Sequence, residues 1–474
     1  RAQTVEALPQ IISQLRAQGY KLVTVSDLLG RTRDEVMPPL AGLKHVPATV
    51  NRIVFGVAGT FVRSLKILFM LGIVLGLARL LFIGLLAVAD VLRKRRIYFS
   101  LNYRPAVAVI VPSHNEEKVI CQTINSLLGS KCPCPIEIIV VDDGSTDQTY
   151  KRAFDAFGKN PAVHIFKKNN GGKSSALNFG ISQTKAEIVV AIDADTVFAQ
   201  DTIWKLVRHF DNEDVGAVSG NAKVGNRINM LTKWQALEYI TSQNLDRRAF
   251  NVLDCITVVP GAVGAWRRDL VLKAGGFGQA TLAEDADLTI AIRRMGYSVI
   301  NDDEACAYTE APDTISGFVK QRYRWMYGTL QAAWKHKRAL FNPRYGTLGF
   351  VALPNIFVFQ ILFPLISPAI DLLTVLTLGQ YIWGVAHGMA GSTNMLTMVL
   401  SYYMLFTAVD FAVVMLAFSL EPKEDKRLLW WVLPQRFCYR QLMYYVAIKS
   451  ALAALRGMEV GWGKMIRKAT VRNH

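Results

Sequence analysis

Ile188-Val189-Val190-Ala191-Ile192-Asp193-Ala194-Asp195 is a run of apolar residues closed by two carboxylates, the pattern of a buried strand that ends in chemistry. Between residue 105 and about residue 310 the motif repeats: strand-like apolar runs at 107–111, 136–141, 163–166 and 215–218 alternate with helical stretches. That alternation predicts an α/β domain with a mostly parallel sheet and helices on both faces. Polar groups stand at the ends of the runs: Ser113-His114-Asn115-Glu116, Asp142-Asp143-Gly144-Ser145 and Asp193-Ala194-Asp195. Ligands bind at the carboxyl ends of strands in open α/β sheets, so one site is expected.

Each motif suits an anionic, sugar-bearing ligand. Asp142 and Asp143 can accept a base N–H or a ribose hydroxyl, and the same segment can cap the following helix. Asn169-Asn170-Gly171-Gly172-Lys173-Ser174 is not a P-loop, because its first glycine position is Lys167; a turn presenting Lys173 to a diphosphate is the remaining reading. Asp193 and Asp195, on one face if extended, suit Mg²⁺ or Mn²⁺ bridging a diphosphate. Glu284-Asp285 is expected to open a helix running to Met295. Either carboxylate could be stabilised by the helix dipole or serve as a general base. In Gln321-Arg322-Tyr323-Arg324-Trp325, helical spacing puts Gln321, Arg324 and Trp325 on one face, an amide, a guanidinium and an indole converging on a phosphate beside a stacked sugar ring.

The 474 residues are 51% hydrophobic, with a mean hydropathy of +0.23, too apolar for an ordinary soluble enzyme. Apolar stretches at 67–89, 348–388, 395–420 and 428–455 are expected to cross a lipid bilayer. The 348–388 stretch, interrupted by Pro354, Pro364 and Pro368, reads as one kinked helix or two short ones, and the span count stays open. Asp371 and Asp410 inside these stretches either line a glycan path or pair with Arg79. The net charge of +17 fits a face against anionic lipid and an anionic substrate; its Lys and Arg cluster at membrane borders, which argues against nucleic acid. The six cysteines have no paired CxxC spacing and read as reduced thiols.

The ordered set DDGS, DAD, ED and QRYRW resembles the processive family 2 glycosyltransferases with a GT-A (Rossmann-like) catalytic domain, a group that includes the poly-N-acetylglucosamine, rhizobial chitooligosaccharide and hyaluronan synthases. The resemblance covers roughly residues 105–474. It implies a GT-A domain embedded between transmembrane helices and an inverting polymerisation of N-acetylglucosamine from UDP-GlcNAc into an exported chitin-like or poly-N-acetylglucosamine chain. Hyaluronan synthesis and non-processive lipid-linked sugar transfer are the alternatives. It further implies that Asp142 and Asp143 contact uridine with Asn115, Glu116 and Lys173 nearby. Asp193 and Asp195 would hold the metal and UDP, and the Glu284-Asp285 pair would supply Asp285 as base. Gln321, Arg322, Arg324 and Trp325 would bind pyrophosphate and the acceptor glycan. Arg322 stands where that family often has Gln, a difference expected to have little consequence. Trp462-Gly463-Lys464 resembles the family's WG motif, with Lys where many have Thr.

Residues 1–40 read as a helix (4–19), a short strand (20–25) and a Ser26 cap, similar to the end of a polysaccharide deacetylase domain, with an unrelated helical leader as the other reading. The expected order is a deacetylase-like end (1–45), a first span (60–92), a cytosolic GT-A domain (100–312), amphipathic interface helices with QRYRW (313–345), C-terminal spans (346–456) and a basic tail (457–474). Arg93-Lys94-Arg95-Arg96 after the first span places the preceding segment outside a cell membrane and the α/β domain in the cytosol. Reporter fusions before Arg52 and after Arg96 are therefore expected to give opposite sidedness; two cytoplasmic signals would remove the assignment.

Overall fold

A computed structural model describes residues 2–38, 45–94, 99–100, 102–387 and 393–456. The chain divides into two compact units, residues 1–67 and 68–474. Arg95, Arg96 and the Trp462-Gly463-Lys464 motif with its basic tail lie outside the described residues.

The first unit holds the helices Ala2–Ala17, Val25–Leu28 and Arg33–Val36 and the start of a long helix, His45–Lys94. The strand expected at 20–25 is absent, and the cap is Thr24 rather than Ser26. The Thr24 hydroxyl accepts from the Asp27 N–H at 3.2 Å while the Asp27 carboxylate accepts from the Thr24 N–H at 3.1 Å. This reciprocal pair satisfies two donors at once, which Ser26, lacking an acid three residues on, has no means to do.

In the second unit eight strands form one sheet in the order β3-β2-β1-β4-β7-β6-β8-β5. They are β1 Val107–Ser113, β2 Ile136–Asp143, β3 Val163–Lys168, β4 Ile188–Ala191, β5 Val197–Phe198, β6 Val215–Val224, β7 Gly264–Arg267 and β8 Ser298–Thr309. The five strands expected from the apolar runs are all present. β3, β2, β1 and β4 run parallel, as does β6 with β8; β7 is antiparallel to both β4 and β6, and β5 to β8, so the far half is mixed. Every residue of β1 and β6 is buried, the sign of a sheet covered on both faces. Winding proceeds outward from β1 through β2 to β3 and then reverses to β4, which places a switch-point crevice at the carboxyl ends of β1 and β4. Asp193 and Asp195 follow β4 into that crevice.

Among the described residues three helices are long and apolar enough to cross a membrane: Val50–Lys94, Leu348–Ala386 and Leu396–Leu420. Residues 348–386 are helical throughout, with wide π-turn stretches at Leu348–Ala352 and Ile356–Leu362. Each stretch precedes a proline, 354 or 364, whose missing N–H leaves an upstream carbonyl that the wider turn re-accommodates. The 428–455 stretch, expected as a further span, does not qualify. Its helix Val432–Leu455 carries Arg436, Arg440 and Lys449, and it packs along the helix Ile315–Lys335 and against Phe363–Ala386. Neither Asp371 nor Asp410 pairs with Arg79. Asp371 accepts from the Tyr444 hydroxyl at 3.1 Å, and Asp410 pairs with Arg436 at 3.4 Å.

A chain of alternating charges ties the sheet to the apolar helices. Asp90 pairs with Lys94 at 2.9 Å, and Lys94 with Asp303. Asp303 then meets Arg248 at 2.6 Å, and Arg248 meets Glu421 at 3.1 Å. Lys223 bridges Glu421 and Glu424 at 2.8 Å each, and Arg227 closes on Glu424 at 2.7 Å. Glu421 directly follows the Leu396–Leu420 helix and is 7% exposed, so its removal leaves buried cations short of a partner. Glu421→Ala is expected to lower stability by about 3 kcal/mol, read as a fall in the thermal midpoint of the detergent-solubilised protein; an unchanged midpoint would mean the network contributes nothing net.

Candidate active site

The strand-end residues form a connected set of turns. Asn115, just past β1, adopts a positive φ of 59°. Its N–H donates to Ser145 Oγ at 3.0 Å, and its Oδ1 accepts from the Thr146 N–H at 2.8 Å. The Glu116 N–H donates to Thr149 Oγ1 at 2.8 Å. Asp142 is buried and accepts from the Ser145 N–H at 3.1 Å. Asp143 accepts from Lys168 Nζ at 2.6 Å and from the Gly172 N–H at 2.7 Å. The carboxylates expected to contact uridine thus also build the turns: Asp143 fixes the Gly171-Gly172 bend. Gly172, at a φ of 85° where a side chain is strained, delivers Lys173 as the first residue of the helix Lys173–Ser182.

Lys173 points to the crevice. Its Nζ lies 2.6 Å from Asp193 Oδ1 and 3.2 Å from Glu284 Oε1. Burial opposes its charge, but Asp193, Glu284 and Asp285 outweigh that and hold the ammonium above its ordinary range. Burial pushes the Glu284 carboxyl up, against the pull of Lys173. Glu284 and Asp285 open the helix Glu284–Arg294, as the sequence predicts. Glu284 is 3% exposed and locked to Lys173, whereas Asp285 accepts from the Gly261 N–H at 3.2 Å and the Ala286 N–H at 2.8 Å. At Gly261 a Cβ would sit 2.6 Å from Lys173 Nζ and displace the ammonium from its place. The carboxylates at 193 and 195 are not on one face of a strand: β4 stops at Ala191, and a turn closed by the Thr196 N–H to the Asp193 carbonyl at 3.0 Å leaves Asp193 partly open and Asp195 3% exposed.

Gln321, Arg322, Arg324 and Trp325 lie on the helix Ile315–Lys335, whose Thr314 cap accepts from the Gly317 N–H. All four border one cavity of about 480 Å³, together with Lys173, Asp193, Glu284 and Asp285. Arg322 is more than a neighbour in the motif. Its guanidinium donates to Glu238 Oε2 at 2.6 Å and Gln321 Oε1 at 2.7 Å and stacks 4.3 Å from the Trp325 ring centre. Trp325 is also held by Tyr239, with ring centres 6.3 Å apart.

Asn115, Glu116, Asp142, Asp143 and Asp195 are not on this cavity's wall, and join it only through the turns they hold. Sequence reading missed Glu238, Tyr239 and Arg247 on its wall, which come from the helical run 230–252 and carry no motif. Arg79 and Gly261 line it too; the single charge of a 67–89 span and a Pro260-Gly261 bend were the available signals. Arg79 donates to Asp246 at 2.6 Å and Asn355 at 3.0 Å. No cluster of three or more metal-ligating side chains occurs among the described residues. Of the two acids after β4, Asp193 borders the cavity and Asp195 is buried off its wall; carboxylates are ligands that suit Mg²⁺ or Mn²⁺.

Residues 108–271 match the family described as glycosyl transferase family 2. A poly-beta-1,6-N-acetyl-D-glucosamine synthase of Staphylococcus aureus (strain COL) is 28% identical over 243 residues, 49% of this chain and 59% of the relative. The Staphylococcus epidermidis protein of that name is 30% identical over 227 residues, 47% of this chain and 54% of the relative. The chain thus spans between half and two thirds of these relatives' length. Among solved structures, a mannosyltransferase from Pyrobaculum calidifontis, in complex with GDP-Man and Mn²⁺, is similar in fold with a TM-score of 0.52 at 23% identity, covering 75% of this chain and 100% of that one.

Arg322, where the resembled family often has Gln, is buried and paired with Glu238 in this chain. Arg322→Gln breaks the contact with Glu238 and withdraws the cation beneath Trp325. A loss of about 2 kcal/mol is expected, with a shifted tryptophan emission; a thermal midpoint and spectrum like those of the unaltered protein would contradict it.

Proposed function

On the premise that the chain carries a glycosyl transferase family 2 domain of GT-A fold, we propose that it is a membrane-integrated, inverting hexosyltransferase that extends a glycan with N-acetylglucosamine from UDP-GlcNAc. The single observation that carries the reading is the shared cavity: the Lys173-Asp193-Glu284-Asp285 group, the Gln321-Arg324-Trp325 face and residues of apolar helices such as Arg79, Phe359 and Pro364 border one space. A donor, an acceptor and a membrane path need such a common room. Processivity, export of a chitin-like or poly-N-acetylglucosamine chain, a cytosolic α/β domain and an extracytoplasmic deacetylase-like end belong to the same proposal.

In the transfer, the acceptor hydroxyl oxygen forms a bond to the donor's anomeric carbon as the bond to the β-phosphate oxygen breaks. The proton passes to Asp285, and the electron pair leaves with UDP. Asp285 suits the base role because Glu284 is buried against Lys173. Lys173 and Arg324 meet negative charge on the diphosphate side, and Trp325 offers a flat apolar face to the acceptor ring. A divalent cation held by Asp193 and Asp195 would neutralise the leaving diphosphate.

Incubation of the purified protein with a panel of nucleotide sugars is expected to give polymer from UDP-GlcNAc, lost in excess EDTA. Asp285→Asn is expected to lower the rate by about 10²–10⁴-fold, with UDP binding by calorimetry retained. Polymer from UDP-GlcNAc and UDP-glucuronate together would favour hyaluronan synthesis, and unaltered turnover in Asp285→Asn would remove the base assignment.

A further inference from the structure

One cation on the cavity wall is placed differently from its neighbours. Arg79, Lys173 and Arg322 each pair with a carboxylate, Asp246, Asp193 and Glu238 respectively. Arg247 forms no ion pair among the described residues; its guanidinium donates only to the amide oxygens of Asn244 at 3.2 Å and Gln243 at 3.5 Å. Burial lowers its pKa to about 10 against the pull of Tyr239, Asp285 and Asp246, so it is charged at neutral pH and half-buried. A guanidinium has five N–H donors, and a desolvated cation without a counter-charge costs stability unless something else engages it. Arg247 stands in the helix Leu245–Val252, three residues past the wide-turn stretch Tyr239–Asn244, a backbone form frequent at functional sites. It shares the cavity with Asp285, whose charge acts on it from beyond ion-pair range, and with Trp325, so a gap separates the guanidinium from the base.

We propose that Arg247 is an acceptor-binding residue, donating to the hydroxyl and amide-carbonyl oxygens of the glycan's terminal sugar beside the hydroxyl that Asp285 deprotonates. The inference rests on the glycosyltransferase reading. It gives the acceptor a polar wall opposite the apolar face of Trp325, as a sugar ring with polar edges and apolar faces requires.

The test uses the full chain in lipid nanodiscs with UDP-GlcNAc and N-acetylglucosamine oligosaccharides, comparing wild type, Arg247→Met and Arg247→Lys. Sugar transferred, UDP released, acceptor KM and UDP affinity are measured together. Arg247→Met is expected to lower the ratio of transfer to donor hydrolysis by about 10–100-fold and to raise acceptor KM. Arg247→Lys should recover part of the ratio, because an ammonium donates without the planar fork. A wild-type ratio in both variants would overturn the proposal, as would a matching loss of UDP affinity, which would make Arg247 a diphosphate ligand. If Arg247→Met loses its thermal transition, Arg247→Lys decides: a lowered ratio supports the assignment and an unchanged one overturns it. A wild-type protein that neither hydrolyses nor transfers any nucleotide sugar would overturn the glycosyltransferase reading itself, and the acceptor role with it.

Discussion

The alternating row Asp90, Lys94, Asp303, Arg248, Glu421, Lys223, Glu424 and Arg227 is the constraint on which the relation between sheet and apolar helices depends. Signs alternate from one end to the other, so each interior ion has an opposite on both sides and the row carries no net charge. Such burial gives little stability over apolar packing, because desolvation offsets most of the attraction. What it does supply is selectivity of position. Greasy surfaces slide past one another at small cost, whereas moving Glu421 by one helical turn would take from Lys223 and Arg248 one of the two carboxylates that each meets. The end of the Leu396–Leu420 helix, β6, β8 and the helix Leu245–Val252 are thereby fixed in register.

That register sets the cavity. One side comes from strand ends and the helix Glu284–Arg294, another from the helix Ile315–Lys335 and the run 230–252, and the far wall from the long apolar helices. Within it Lys173 is shared between Asp193 and Glu284, which leaves Asp285 as the carboxylate held only by backbone N–H groups. Two adjacent acids thus acquire different work from their surroundings alone, one locked and one accessible.

The parts legible in the sequence were those written in local pattern. Apolar runs located β1, β2, β3, β4 and β6, and helical spacing brought Gln321, Arg324 and Trp325 to one wall. Short or charged elements escaped: β5 has two residues, β7 four, and β8 carries Asp302-Asp303-Glu304 in its middle, which hides its strand character. Carboxylates at 193 and 195 were placed by alternation, but the strand stops before them, and turn geometry decides which one opens to the cavity. Glu238, Tyr239 and Arg247 escaped because their importance comes from what lies across the cavity, a property no local window contains. Likewise, 428–455 is apolar enough to pass for a membrane span until its Arg436, Arg440 and Lys449 are seen facing partners such as Asp410, Tyr444 and Tyr323.

The cavity's walls come from segments hundreds of residues apart, from Arg79 to Met443, so no short fragment of the chain contains it. A nascent polypeptide that has folded its α/β sheet but not yet seated the helices after residue 348 has its aspartates in place and no enclosed chamber around them. The chamber is therefore complete only when the sheet and the apolar helices are packed together.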